Sequence, residues 1–175
     1  MTTRADDATR GRATAGRPGA LAWLFGAGLV DRVPAAPAWI LSAVLLAARF
    51  WLAEPFFRAG LARAQSWGSQ SFLFEHIHPV PFLSPGLAAL VTTAAELVLP
   101  VALVLGVLGR LSALGLAVMA ATIFFVVGQT PQGQENGIAI AAEQIPWMLV
   151  GLAIFIVGPG RIAIDEAIRR FALRG

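Results

Sequence analysis

The segment from Leu111 to Gly128 carries no charged side chain, and it lies between two other long apolar runs. A helix needs roughly 20 apolar residues to cross the ~30 Å hydrocarbon core of a bilayer. Lipid offers no hydrogen bonds to the backbone, so such a run must pair its own polar groups, as a helix does. The whole chain agrees, because 57% of its 175 residues are hydrophobic and only 13% are charged. The sequence therefore predicts an all-α integral membrane protein with the lipid bilayer as its main partner.

Four apolar segments are long enough to span the bilayer. We predict spans at about residues 38–57, 87–108, 111–128 and 138–158. A very short turn joins the second span to the third, which favours antiparallel neighbours. We therefore expect an antiparallel four-helix bundle over residues 37–160.

The flanks of this bundle have a different composition. Residues 1–19 are rich in Arg and poor in apolar residues, which is typical of a disordered tail. The short apolar run within residues 20–36 is interrupted by Asp31 and Arg32, which favours an interfacial segment; a cleaved signal peptide is the alternative. Residues 161–175 place apolar and charged side chains at helical spacing, which predicts an amphipathic interfacial helix. Four of its residues are candidates for binding lipid headgroups or for a structural role: Arg161, Asp165, Arg169 and Arg170.

Arginines are distributed unevenly between the two sides of the predicted bundle. One side carries only Arg58 and Arg63. The other carries Arg4, Arg10, Arg12, Arg17, Arg32, Arg110, Arg161, Arg169, Arg170 and Arg174. By the positive-inside rule, both termini and the amphipathic C-terminal helix are expected on the cytoplasmic side.

Composition also excludes several kinds of chemistry. The chain has no Cys, which removes disulfides, thiolate metal sites and Fe–S clusters. A nucleic-acid partner is not indicated, because the basic residues do not cluster on one face.

Charged residues inside the predicted spans are candidates for function, because burying a charge in lipid is costly. Arg49 lies ~12 Å and Glu96 ~13 Å from the outer face at 1.5 Å per residue, so we expect them to form an ion pair. Glu54 and Glu143 are expected nearer the outer face. Even if Arg58 pairs with Glu54, one carboxyl group is left over, and it would be able to take up a proton. The alternative is that the ion pair only holds the bundle together.

The predicted outer loop contains His76 and His78, the two His residues of the chain. A His-x-His pair supplies two ligands for Cu or Zn, and ordinary exposed side chains are the alternative. Haem held between two helices is disfavoured, because both His residues lie on one short segment.

Several motifs follow one another in an order that resembles the DoxX family of small membrane proteins. The resemblance covers about Pro37 to Phe171. It depends on Arg49, Gly60-x-x-Arg63, Phe72–Glu75 before Pro79–Leu83, Ala95–Leu97, Gly106–Arg110, and Gly158-Pro159-Gly160-Arg161 with Asp165. Many members of the family carry a His near the start of the last helix, where this chain has Glu143 and Gln144.

The resemblance implies a bacterial inner-membrane protein associated with redox processes, in some members with electron delivery to quinone. We expect a quinone-interacting subunit in which Arg49 and Glu96 or Glu143 hydrogen-bond the ring, with Gln144 beside them. Trp51 and Phe56 are expected to stack on the ring. A redox partner protein would bring the electrons. The competing hypothesis is a non-enzymatic scaffold that recruits a soluble redox or metal-handling partner. Small residues at every fourth position, among them Ala113 and Ala117, are expected either to pack inside the bundle or to form a homodimer.

Overall fold

The computed structural model describes residues 29–32, 34–77, 79–80, 82–137 and 144–172. All regular secondary structure in these ranges is helical. His78, Glu143 and the predicted tail at residues 1–19 lie outside the described residues.

Seven α-helices follow one another along the described chain. They are α1 Ala35–Gln65, α2 Gln70–His76, α3 Pro85–Leu105, α4 Gly109–Phe125, α5 Pro131–Glu135, α6 Gln144–Val157 and α7 Ile164–Ala172. Short 3-10 helices precede α1, α2 and α5 at Leu29–Arg32, Trp67–Ser69 and Val127–Gln129.

Among the described residues, three helical segments are long and apolar enough to cross a membrane, as expected for a membrane protein. They are Ala35–Gln65, Pro85–Leu105 and Gly109–Gln129. Helix α6 is also apolar but has only 14 described residues, and residues 138–143 of the fourth predicted span lie outside the described chain.

Helix α1 continues beyond the predicted end of the first span at residue 57. Its 31 residues run to Gln65, with Pro55 inside the helix. Proline is tolerated within apolar helices where neighbouring groups satisfy the freed backbone carbonyl. Because the helix is longer than predicted, each residue of α1 lies opposite a different part of α3 than expected. This difference determines which charged side chains come into contact.

One face of α1 is buried along most of its length. Buried residues recur at spacings of three or four, which is the pattern of a single helical face. They include Ala38, Ser42, Leu45, Arg49, Leu52, Phe56 and Gly60. Arg63 follows Gly60 at the same spacing, so it lies on this face as well.

The small residues of α4 pack within the protein. A Cβ placed on Gly151 of α6 would lie 2.9 Å from both the carbonyl oxygen of Ala113 and the Cβ of Ala117. Both alanines are buried. Of the two expected roles of this repeat, the structure therefore shows packing inside the protein, where α4 lies close against α6.

Side chains from α1, α3, α4 and α6 share one apolar core. Leu52 and Phe56 meet Leu103, Leu116 and Ile154 there. The four longest helices of the described chain therefore surround a common interior, and the site described below opens off this core.

Candidate functional site

Helices α1 and α3 pack closely at Gly60. A Cβ built on Gly60 would lie 2.8 Å from the Cβ of Glu96 and 3.1 Å from its backbone carbonyl carbon. Only a residue without a side chain fits at this distance. Gly60 therefore brings the α1 backbone against Glu96, and Arg63 lies one turn further along the same face.

Arg63 and Glu96 form a buried ion pair. The Nη1 atom of Arg63 lies 3.2 Å from Oε1 of Glu96, and the two side chains are 18% and 2% exposed. The guanidinium also lies over the ring of Phe74 on α2, 5.2 Å from its centroid. An aromatic face attracts a cation at this distance, so α2 helps to hold Arg63 in place.

Both residues of this pair have a buried atom that lacks a hydrogen-bond partner within the described residues: Nη1 of Arg63 and Oε2 of Glu96. Oε1 of the buried Gln144, in the wall of the same cavity, also lacks one. Buried polar atoms in folded proteins are nearly always hydrogen-bonded. The unpartnered atoms of this ion pair therefore point to a bound group that makes hydrogen bonds with them.

These polar groups line a cavity of about 610 Å³ between α1, α3, α4 and α6. Most of its wall is apolar and aromatic: Phe56, Phe74, Val118, Met119, Ile123 and Trp147. The rings of Phe56 and Trp147 lie 5.4 Å apart and tilted by 59°. The cavity therefore suits a largely apolar molecule with a few polar atoms.

The prediction that Arg49 pairs with Glu96 is wrong. Arg49 is fully buried, and its Nη1 donates to the backbone carbonyls of Leu103 and Val104, each at 3.4 Å. Leu103 follows Glu96 by seven residues, or about 10 Å along α3. Arg49 therefore lies at the end of α3. Arg63 occupies the position beside Glu96 that was predicted for Arg49.

Glu54 and Trp51 do not join the buried site. Glu54 pairs with Arg58 at 2.8 Å, with side chains 58% and 78% exposed. Trp51 is half exposed and lines a separate cavity of about 280 Å³ with Glu54 and Trp147. Only Phe56, of the two aromatic residues expected to stack on a ring, lines the cavity beside Glu96.

A second polar cluster joins the α3–α4 turn to the start of α7, and we call it the turn clasp: Arg49, Gly106, Leu108, Gly109 and Asp165. The two carboxylate oxygens of Asp165 accept hydrogen bonds from the backbone N–H groups of Leu108 and Gly109, at 3.0 and 2.9 Å. The N–H of Asp165 donates to the carbonyl of Gly106 at 3.0 Å. Arg49 also donates through Nη2 to the carbonyl of Ile162, just before α7. The turn clasp therefore fixes the tight turn rather than presenting groups to a ligand.

Arg110, counted in the sequence as a charge in a cytoplasmic turn, is almost completely buried. It donates to the carbonyl of Phe155 and, at 2.8 Å, to that of Ile156. A cation at these carbonyls also complements the negative end of the α6 dipole. Arg110 therefore joins the start of α4 to the end of α6.

The DoxX family model matches residues 44–129, a range that includes Gly60, Arg63, Glu96 and the α3–α4 turn. The chain belongs to the DoxX family. An uncharacterized protein of Haemophilus influenzae is 28% identical over 133 residues, which cover 72% of this chain and 83% of that protein. No solved structure matches the chain.

The structure explains several of the motifs by which this chain resembles DoxX proteins. Gly60-x-x-Arg63 meets Ala95–Leu97 at the buried ion pair. Gly106–Arg110 meets Asp165 at the turn clasp. The sequence contained one indication that Arg63 faces α3. Arg63 follows Arg49 by about four helical turns, so the two residues lie on the same face of α1.

His76 of this DoxX protein lies near the end of α2. Its Nδ1 is 3.2 Å from the carbonyl oxygen of Phe72, and its ring stacks on the Phe72 ring at 4.3 Å between centroids. His78, the other candidate ligand, lies outside the described residues. Within the described part of the chain, no group of three or more His, Cys, Asp or Glu is placed to hold a metal ion.

Helix α7 has its acidic residues buried and its apolar residues exposed. Asp165 and Glu166 are buried, whereas Ile168 and Phe171 are 59% and 78% exposed. Both Arg169 and Arg170 bind the carboxylate of Glu166. Arg161 lines a surface pocket of about 260 Å³ together with Ala167, Arg170 and Phe171.

Proposed function

We propose that this DoxX-family protein is a quinone-interacting membrane subunit of a redox system, with the quinone ring bound beside Arg63 and Glu96. The observation that carries this proposal is the cavity of about 610 Å³, whose apolar wall is interrupted by the ion pair and by Gln144. Cavities for small ligands commonly have this volume and this mixture of many apolar and few polar groups.

The residues around the cavity fit the polar and apolar parts of a quinone. The guanidinium of Arg63 and the side-chain NH2 group of Gln144 supply donors for the ring carbonyls. Phe56 and Trp147 supply aromatic surface for the ring. A bound quinone would supply the electron-carrying chemistry, while the protein binds it, orients it and keeps water away.

We further propose that α6 is the fourth span of an antiparallel bundle in a bacterial inner membrane, with both termini and α7 on the cytoplasmic side. The uneven distribution of Arg supports this orientation. The exposed Ile168 and Phe171 support an interfacial position for α7, because that face has no apolar partner within the described residues. The chain has no Cys to hold an Fe–S cluster, so we propose that a partner protein brings the electrons.

Mass spectrometry of the organic extract tests the proposal. The protein is purified in mild detergent beside an unrelated membrane protein of similar size. We expect near-stoichiometric quinone in the DoxX protein, a loss of most of it in Arg63→Gln, and no loss in Arg58→Gln. The Arg58 variant is a matched control, since it removes an exposed Arg–Glu pair from the same helix.

The opposite result has a clear meaning. If the wild-type extract holds no more quinone than the unrelated protein, in detergent and also in native lipid discs, the quinone proposal fails. The scaffold hypothesis then becomes the better account, and recovery of a soluble partner becomes the measurement to make.

A further inference from the structure

The unpartnered atoms of the ion pair distinguish between the oxidised and the reduced form of a bound ring, because the two forms make different hydrogen bonds. Glu96 is 2% exposed, and its Oε2 has no hydrogen-bond partner within the described residues. Nη1 of Arg63 lies 3.2 Å from Oε1 of Glu96 as an ion pair, and this nitrogen also has no hydrogen-bond partner there. A carboxylate oxygen only accepts hydrogen bonds. A group that completes the hydrogen bonding of both atoms therefore donates to Oε2 of Glu96 and accepts from Nη1 of Arg63.

Quinone and quinol differ in this property. The two ring oxygens of a quinone are carbonyls, which accept hydrogen bonds from Arg63 but donate none. A quinone bound here would leave Oε2 of Glu96 desolvated and unpaired, which is costly for a charged acceptor. Each ring oxygen of a quinol is a hydroxyl, which both accepts and donates, so one hydroxyl satisfies Arg63 and Glu96 together.

We infer that the cavity binds the reduced, hydroxyl-bearing form of its ring ligand more tightly than the oxidised dicarbonyl form. Glu96 determines this preference, because it accepts a hydrogen bond that only the reduced form donates. This inference rests on the proposed function. Gln144 supports it, because its unpartnered Oε1 is a second acceptor in the wall of the same cavity.

The preference has a consequence for the bound redox couple. Tighter binding of the reduced form makes the bound quinone easier to reduce than free quinone. A tenfold preference corresponds to a rise of about 30 mV in the two-electron midpoint potential. A cavity of this kind favours reactions that deliver electrons to quinone over reactions that withdraw them from quinol.

Equilibrium binding with three short-chain ligands tests the inference. A quinone, its quinol and the dimethyl ether of that quinol are titrated anaerobically into the protein in lipid nanodiscs. We expect the quinol to bind about tenfold more tightly than the quinone, because it removes an unpaired charged acceptor. The dimethyl ether keeps the ring and loses the donors, so it is expected to bind no more tightly than the quinone.

Two variants assign the preference to Glu96. Glu96→Gln replaces one acceptor oxygen with a donor, and we expect it to bind quinone and quinol with similar affinity. Glu54→Gln makes the same change at an exposed position of α1 and is expected to keep the wild-type ratio. The comparison of the three ligands needs only the wild-type protein, so the test survives a folding defect in Glu96→Gln.

The outcomes separate the two proposals. Equal binding of quinone and quinol to the wild-type protein overturns this inference and leaves the quinone proposal standing. Equally tight binding of quinol and its dimethyl ether also overturns it, since the donors would then be irrelevant. A failure to bind any of the three ligands contradicts both proposals.

Discussion

Arg63 and Glu96 meet beside the close contact of α1 and α3 at Gly60, with 3.2 Å between Nη1 and Oε1. Gly60 removes the side chain that would keep the two helices apart there. The pair therefore depends on backbone packing as much as on charge. It joins the two helices at the wall of the proposed ligand cavity.

Removal of either partner is expected to destabilise the protein strongly. Arg63→Gln or Glu96→Gln leaves the other charge buried without its counter-ion, which costs about 3 kcal/mol in the free energy of unfolding. Reversible unfolding in mixed detergent micelles measures the difference. The double variant is expected to be more stable than the sum of the single changes indicates, because neither charge is then left alone.

The exposed pair between Glu54 and Arg58 is the matched control for this experiment. Arg58→Gln is expected to change the free energy of unfolding by no more than about 1 kcal/mol, because exposed ion pairs contribute little. Similar losses for Arg58→Gln and Arg63→Gln would contradict the special role given to the buried pair.

A side chain at residue 60 is expected to force α1 and α3 apart. In Gly60→Ala the new Cβ would lie 2.8 Å from the Cβ of Glu96 and 3.1 Å from the backbone of the same residue. Backbone atoms cannot rotate away, so we expect a loss of about 1–3 kcal/mol in the free energy of unfolding. Equilibrium unfolding by the same detergent method measures it.

Gly68 supplies the control for Gly60. Within the described part of the chain, a Cβ on Gly68 would meet nothing within 4 Å, so Gly68→Ala is expected to change stability by no more than about 0.5 kcal/mol. If Gly60→Ala is as stable as Gly68→Ala, the close approach of the two helices is not required.

The sequence predicted the apolar helices well and the partners of their charges poorly. Hydropathy is a local property, so Leu111–Gly128 and its neighbours could be recognised from composition alone. The partner of Glu96 depends on where α1 ends, and ending the span at residue 57 set Arg49 level with Glu96. The actual helix runs eight residues further to Gln65, which places Arg63 there instead.

The turn clasp was harder to predict for a different reason. Asp165 binds backbone N–H groups of Leu108 and Gly109, more than fifty residues earlier in the chain. Leu108 also takes a left-handed backbone conformation, with φ of 47°. Neither a contact to backbone groups at such a distance nor this conformation leaves a periodic pattern in the sequence. The motifs were visible, but their structural role was not.

Gly106 is expected to tolerate no side chain. It has a φ of +70°, and a Cβ there would lie 2.5 Å from the Cβ of Ala163 and 2.8 Å from Nη1 of Arg49. Gly106→Ala therefore combines backbone strain of about 1–2 kcal/mol with steric overlap in the turn clasp. We expect it to lower the free energy of unfolding by at least about 2 kcal/mol in the detergent assay.

Gly137 separates the two effects in that prediction. It has nearly the same φ, +69°, but a Cβ there would meet no atom of the described residues within 4 Å. Gly137→Ala is expected to show the backbone strain alone, about 1–2 kcal/mol. Equal losses in the two alanine variants would show that steric overlap in the turn clasp adds nothing.

Glu166 on α7 is held by two arginines. Its carboxylate accepts from Nε of Arg169 and from Nε of Arg170, each at 2.7 Å. Burial raises the pKa of Glu166, but the hydrogen bonds and charges of the two arginines outweigh it, so the net pKa lies below the ordinary value of 4.5.

This lowered pKa predicts how the stability of α7 depends on pH. A carboxyl group whose pKa is lower in the folded state stabilises that state fully above the unfolded pKa, and the stabilisation is lost as the pH falls through the folded pKa. We therefore expect Glu166→Gln to be less stable than wild type at pH 7, with a difference that stays constant down to about pH 5 and shrinks below pH 4.5. Melting temperatures of both proteins between pH 3 and pH 7 measure this difference. Glu54→Gln, which changes an exposed carboxylate, is the control for general acid effects. A difference that grows as the pH falls below 4.5 would show that Glu166 is not stabilised as an anion by Arg169 and Arg170.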